Sequence, residues 1–456
     1  MKRVSRRDFI KHSLILGTST MALPAVLAPR GASANDPEKR DKFLLCPPYL
    51  GCPTCSSILL NLVSGEKAIE CYIRFGETKD VAEGEWQQSE GISMEPLTVR
   101  QTRLEHLKPD TEYKYQIFAR FKGQSEFRMF MENPLRSQRP TPSAFSFALF
   151  SDSHIYPEAP RRYRILSEVT SSILARKPDL ALMLGDNIQT FTSHGGPMIE
   201  KRYGPMLYAQ LRHALGNLPS SVPLFNTIGN WEGENGWHPE RERAWARQAR
   251  MTWIPTPDPE TYPEGGSEFG DYYGFSWGDV LFLVLNVSGY TSSDHTIQSP
   301  IGRADDWTLG EVQKQWLHKR LSISTAKWKF LFLHHTVGGK AGDDLNSCYG
   351  RGGGRAAYTG EQALIHEWMK TYGVQVLFYG HDHVFTDIPV DGIHYVCVGS
   401  AGAPWKFTEE ETGYKTFWTP SGYTWVDVHE ARVKISFIGT DIPGPKWQVL
   451  HSFEIS

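Results

Sequence analysis

Five apolar runs in this chain each stop at a side chain that can donate an oxygen or nitrogen lone pair. Residues 145–150 lead into Asp152 and His154, and residues 180–184 lead through Gly185 into Asp186. Residues 224–228 lead through Gly229 into Asn230, Trp231 and Glu232. Residues 330–333 end at His334 and His335, and residues 374–379 lead through Gly380 into His381, Asp382 and His383. Carboxylate, amide and imidazole donors suit divalent first-row metals rather than Cu(I), and the histidines argue against calcium. No single block proves the point: 16 histidines in 456 residues give about 0.6 His-x-His triplets by chance. Five strand ends that all finish in ligand types are another matter. In α/β sheets ligands bind beyond the carboxyl ends of the strands. Asp152, His154, Asp186, Asn230, His334, His381 and His383 are therefore expected to meet in one cleft and hold metal.

The elements that must position these residues follow from periodicity. Residues 145–150 read as a buried strand. Ile165, Val169 and Ile173, with Leu166 and Leu174 beside them, recur at helical spacing until Pro178. Residues 180–184 are the next strand, which makes a β-α-β unit with parallel strands. Further strands are expected at 223–228, 280–287, 330–333 and 374–379, and helices near 311–321 and 361–370. Residues 144–456 are thus α/β. Residues 41–137 read as all-β. Runs at 58–63 and 68–75 are set off by Gly65 and Gly76, and Tyr113, Tyr115 and Ile117 share one face after a Pro109-Asp110 turn. Short strands at such spacing predict a small β-sandwich. Three prolines in residues 134–142 suggest a linker.

Composition bounds the rest. The 40% hydrophobic and 22% charged content is that of a soluble globular chain of two or three domains. A net charge of -3, with no basic run beyond the N-terminus, gives no nucleic-acid footprint. Residues 1–34 read as a signal peptide: Ser5-Arg6-Arg7-Asp8-Phe9-Ile10-Lys11, an apolar stretch, then Ala32-Ser33-Ala34 before a cleavage point. Its removal takes six Lys/Arg and one Asp, leaving 42 minus 50, a charge of -8. No other stretch reads as a membrane anchor. The leader resembles twin-arginine signals, which implies the Tat export machinery as a partner and a periplasmic or extracellular destination. Cys46, Cys52, Cys55 and Cys71 suit structural disulfides in an oxidising compartment, with a four-thiolate zinc site as the sharper alternative.

The ordered set Asp-x-His, Gly-Asp, Gly-Asn-x-Glu, a strand ending in His, and Gly-His-x-His resembles the calcineurin-like metallophosphoesterases over about residues 144–430. The run Leu107-x-Pro109-x-Thr111-x-Tyr113-x-Tyr115 resembles fibronectin type III domains, so the whole mature chain is similar to the purple acid phosphatases. That resemblance implies a four-layer α/β/β/α sandwich behind the small all-β domain. It implies two divalent metal ions, Fe, Mn or Zn, one held by Asp152, His154, Asp186 and His383 and the other by Asp186, Asn230, His334 and His381. It further implies an exported phosphoesterase that attacks a small phosphate mono- or diester with a metal-bridging hydroxide, two such ions lying about 3.5–4 Å apart.

Two positions depart from the family. Gln189 stands where purple acid phosphatases carry the iron-binding Tyr, so no purple iron–tyrosinate centre is expected. Trp231 stands where the family has a His that contacts the phosphate and protonates the leaving group. Glu232 is kept and counted as catalytic. His335 is the first candidate to replace the missing acid, with His194, His238 and His295 behind it. Trp231 also keeps open an alternative, a non-catalytic metal-containing protein that binds a phosphorylated or cell-surface ligand. Gly350 to Arg355 reads as a loop or an anion cradle. Trp237, Trp405 and Trp418 read as cleft lining or core. The turn from Gly399 to Pro404 resembles one the family places near its metals and receives no role.

Overall fold

A computed structural model describes residues 43–156, 159–190, 204–292, 308–336, 361–404, 414, 416–440 and 446–456. The leader, His194, His295, Cys348, Trp405 and residues 350–355 lie outside the described residues.

The N-terminal part is two antiparallel sheets over one core. Strands β1 (Tyr49–Gly51), β2 (Ile58–Val63) and β6 (Val99–Leu104) form the smaller sheet. The larger comprises β3 (Ile69–Glu77), β4 (Gln87–Gln88), β5 (Ile92–Met94), β7 (Glu112–Phe121) and β8 (Arg128–Arg136). One helical turn, α1 (Thr78–Val81), follows β3. Leu50, Ile58, Leu60 and Leu104 of the first sheet share a core with Ile73, Tyr113, Tyr115 and Ile117 of the second. The Tyr113 hydroxyl accepts the Lys108 N–H at 2.8 Å and fixes the turn before β7. Pro134, expected in a linker, instead pairs with Lys114 inside β8. β8 is the last strand of its sheet, where a missing N–H costs no ladder bond.

The expected disulfides are not formed. Cys46, Cys55 and Cys71 are free thiols, so no two of the four N-terminal cysteines are joined. Nor do those cysteines enter any metal-type cluster among the described residues. Cys46 and Cys71 are packed as small hydrophobes in two different cores.

Beyond Ser143 two six-stranded sheets lie face to face. The first has the order β11 (Leu224–Asn226), β10 (Leu180–Met183), β9 (Phe145–Phe150), β18 (Ser421–Val428), β19 (Val433–Thr440), β20 (Gln448–Ile455). The second runs β12 (Tyr273–Trp277), β13 (Val280–Val284), β14 (Trp328–Phe332), β15 (Val376–Tyr379), β17 (Ile393–Val398), β16 (Phe385–Val390). Each central strand buries both faces, which explains its unbroken apolar run. In β9, Phe147 and Leu149 enter the core between the sheets, while Ala148 and Phe150 enter the core under the helices. In β14, Phe330 and Phe332 face the other sheet, and Leu331 faces the outer helices.

Helices α2 (Pro160–Ala175), α3 (Gly204–Leu215), α4 (Leu218–Ser221) and α5 (Glu240–Trp253) lie outside the first sheet. Helices α6 (Gly310–Ile323) and α7 (Glu361–Tyr372) cover the second. The four layers anticipated from the sequence are present. No helix among the described residues is long and apolar enough to cross a membrane.

The two parts are joined through a buried seam. Arg212 of α3 donates to the side-chain and main-chain oxygens of Asn61 and to the carbonyls of Pro47 and Trp253. Tyr115 donates to the Ser220 carbonyl at 2.7 Å, and Tyr262 to the Pro53 carbonyl at 2.9 Å.

Candidate metal centre

The ligand residues sit at the C-terminal ends of five strands, three from one sheet and two from the other. β9 supplies Asp152 and His154, β10 supplies Asp186, and β11 supplies Asn230. β14 of the facing sheet supplies His334, and β15 supplies His381 and His383. Backbone bonds lock the ends together: Asp152 N to Gly185 O at 3.1 Å, His154 N to Asp186 O at 2.8 Å, and Gly380 N to His334 O at 3.1 Å.

Close approach demands unusual backbone here. Asp152, His154, Asp186, His381 and His383 all have left-handed φ, between 44° and 72°. Non-glycine residues seldom adopt that region, and holding them there costs about 1–3 kcal/mol each. The glycines before the ligands are needed for space. A Cβ on Gly185 would lie 2.8 Å from His334 Nδ1, one on Gly229 would strike Asp186 Oδ1, and one on Gly380 would strike Ser151 Oγ.

The donor atoms gather in three groups. Asp152, His154 and His383 form one group, Asp152, Asp186 and His334 a second, and His334, His335 and His381 a third, each within 4.8 Å. Asp186 Oδ2 lies 3.4 Å from His154 Nε2 and 3.1 Å from His334 Nε2, so it faces both halves of the site. His383 Nε2 is 3.5 Å from Asp152 Oδ1. His381 Nδ1 is 3.3 Å from His334 Nε2. Asn230 joins through its neighbour, whose N–H donates to Asp186 Oδ1 at 2.8 Å.

Three observations show that these residues fit metal ions. Asp186 Oδ2 and Asn230 Oδ1 are buried yet accept no hydrogen bond. His334 donates Nδ1–H to the Leu184 carbonyl at 2.7 Å, and His383 donates Nδ1–H to the Pro404 carbonyl at 2.9 Å, which leaves each Nε2 lone pair aimed inward. The backbone N–H of His381 holds both Asp152 oxygens, at 3.2 and 3.0 Å.

The electrostatics agree. Burial pushes the Asp152 carboxyl up to about 8, with Asp186 adding to the rise and His334 opposing it. Burial disfavours the His334 imidazolium, but Asp186, Asp152 and Glu232 outweigh it and carry the group up to about 9. Both shifts favour protons within the cluster, so a divalent ion taking these donors would release protons on binding.

The remaining sequence candidates have definite places. Glu232 accepts the N–H groups of Asp186 (3.1 Å), Asn187 (2.7 Å) and Gly229 (2.8 Å), so its oxygens fasten the β10 and β11 loops together. Burial, seconded by Asp186, pushes it up to about 7. His335 is buried, its ring centroid 3.8 Å from that of His381 and its Nδ1 3.4 Å from Ser288 Oγ. His238 turns towards the Gly233 carbonyl at 3.4 Å and is in none of the three groups. Trp237 packs against the outer core of the second sheet, and Trp418 stacks on His451 at 4.8 Å. Neither is assigned to the cleft. Trp231 is half-buried, its ring edge-on to His154 at 5.7 Å.

Several supporting residues escaped the sequence pattern. The small-residue turn holds Asp152 through Ala403 N (2.8 Å) and Ser400 Oγ (3.1 Å), and Pro404 then holds His383. Tyr414 donates to the Asp382 carboxylate between the two histidines and lies 2.9 Å from the Tyr379 hydroxyl. Arg250 forms a buried pair with Glu234, two residues past Glu232. The run of small residues from Gly399 to Ala403 was the one available signal.

The calcineurin-like phosphoesterase family matches residues 145–385, more than half of the chain. The chain belongs to that family. Its fold is similar to a purple acid phosphatase, PPD1, from yellow lupin seeds, at 15% identity and a TM-score of 0.66, covering 90% of this chain and 74% of that one. It is also similar to PhoD, at 18% identity and a TM-score of 0.71, covering 92% and 91%. No curated protein matches the sequence. Family membership supports phosphoesterase activity and divalent-metal binding in general terms, and the Asp and His clusters are where such ions would sit.

Proposed function

We propose that this chain is an exported phosphoesterase with two divalent ions, acting on phosphate mono- or diesters. The observation that carries the reading is Asp186 Oδ2, buried without a hydrogen bond between two imidazole Nε2 atoms. Asp152, His154, Asp186 and His383 would hold one ion, and Asp186, Asn230, His334 and His381 the other. When bound, such ions acidify the attacking water and neutralise charge on the phosphoryl oxygens.

The chain's own groups do the rest. Glu232 keeps Asp186 and Asn230 in register through the backbone of their loops. Leu184 and Pro404 carbonyls fix the tautomers of His334 and His383. His335 is the buried imidazole available to move a proton near His381. Export by the twin-arginine route rests on the leader sequence and would deliver the folded chain to the periplasm or beyond.

The test is turnover of aryl phosphomonoesters and diesters by the mature chain loaded with Mn, Fe or Zn. Hydrolysis is expected. Two bound ions with no turnover on either class would instead favour the metal-containing binding protein that Trp231 keeps in view.

A further inference from the structure

A cavity of about 440 Å³ lies at the end of the second sheet opposite the metal centre, and its size is that of a small-molecule site. Strands β13 and β14 run parallel. Val280, the first residue of β13, and Lys327, just before β14, line the cavity, whereas the far end of β14 leads to His334. Thr141, on the segment between the β-sandwich and the α/β sheets, lines another side and donates to the Gly278 carbonyl.

Four charged side chains border this volume. Glu264 and Asp279 are carboxylates, while Lys327 and Arg320, the latter in the last turn of α6, are cations. Among the described residues no ion pair joins any two of them, and the side chains of Asp279 and Lys327 make no hydrogen bond there. Glu264 and Arg320 are tethered instead to neutral groups. Glu264 Oε1 accepts the Ser276 hydroxyl, and Arg320 donates Nη1–H to the Pro263 carbonyl at 3.3 Å. Each keeps one buried atom without a hydrogen bond, Glu264 Oε2 and Arg320 Nε. An unpartnered buried acceptor and an unpartnered buried donor both cost stability until a partner arrives. The apolar lining comes from Val280, Leu281 and Ile323, and Ile323 is 59% exposed at the end of α6.

We propose that this cavity binds a free α-amino acid with a branched apolar side chain, its ammonium on Glu264 and its carboxylate on Arg320. Only a ligand carrying both charges answers both unpartnered atoms. Asp279 and Lys327 add one charge of each sign, and Val280, Leu281 and Ile323 take the side chain. The site is separate from the metal centre and does not rest on the phosphoesterase reading.

The test is calorimetric titration of the metal-loaded mature chain with L-leucine, with L-leucinamide, which lacks the carboxylate, and with 4-methylpentanoate, which lacks the ammonium. Wild type is expected to prefer leucine to either analogue by about 10- to 100-fold, the worth of one charge-assisted pair. Glu264→Gln should weaken leucine and leucinamide and leave 4-methylpentanoate unmoved. Arg320→Met should weaken leucine and 4-methylpentanoate and leave leucinamide unmoved. Metal content should be unchanged in both variants. The wild-type series needs no variant to fold: absence of leucine binding at millimolar concentration, or equal affinity for the three ligands, overturns the proposal. So does an equal loss of all three ligands in a variant, because the side chain would then only brace the wall.

Discussion

Arg212 and Asp186 are both buried charges, 0% and 1% exposed, and they differ in what surrounds them. Arg212 lies at the seam between the β-sandwich and the α/β sheets and sends Nη1 and Nη2 to four oxygens. Asp186 lies where five strands end, and its Oδ2 faces imidazole nitrogens without accepting a hydrogen bond. At the seam protein oxygens take both terminal guanidinium nitrogens, and only Nε is left without a partner. The centre leaves two inward oxygens, Asp186 Oδ2 and Asn230 Oδ1, without donors, a gap that cations would fill. Burial and charge therefore do not distinguish a structural site from a functional one. The distinction lies in donors and acceptors that point at one another with nothing between them.

The comparison can be broken by exchanging what each region tolerates. Asp186→Asn removes the carboxylate that faces both halves of the site. Metal content should fall below two ions per chain, and kcat by more than the roughly 10- to 100-fold typical of supporting residues. Elemental analysis with steady-state kinetics checks this, and unchanged occupancy rules out the shared-ligand role. Arg212→Met strips partners from buried carbonyls and should cost about 3 kcal/mol in denaturant unfolding, with metal stoichiometry intact. If metal is lost as well, the two regions are not independent. Glu232→Gln sets an NH2 group against backbone N–H donors and should cost about 2 kcal/mol. It should also weaken metal binding about tenfold, because the β10 and β11 loops lose register. Trp231→His is the smallest step. It should raise turnover of esters with poor leaving groups about tenfold, the lower part of what general acids supply. A fall in turnover would show that Trp231 has its own part in the site.

The sequence made some of this legible for a physical reason. A strand buried on both faces must be apolar throughout, so Asp152, Asp186 or His334 stands out as the point where burial gives way to chemistry. Helix α2 was readable because only one face is buried, at Ile165, Leu166, Val169 and Ile173. The C-terminal strands were not. β18 pairs with β9, Thr424 against Leu149, a contact across most of the α/β region that no local periodicity encodes. β8 hid behind Pro134, whose edge position makes the proline harmless. The cysteines misled because compartment and count suggest bridges, while packing had already used Cys46 and Cys71 as core atoms. In the site, residues contributing side-chain donors were visible. Those acting through backbone groups were not, since Ala403 N and Pro404 O carry no residue-specific signature.

The anchoring of Pro404 and Tyr414 has an engineering consequence. Pro404 holds His383 and Tyr414 holds Asp382, so both flanks of the nine-residue span 405–413 are fastened to the same Gly-His-x-His turn. Doubling the length of a span with fixed ends costs only about 0.6 kcal/mol in closure entropy. That span is therefore a natural cassette. Segments of different length and composition could be spliced between Pro404 and Tyr414 to retarget the protein, while the turn that carries the ligands stays where it is.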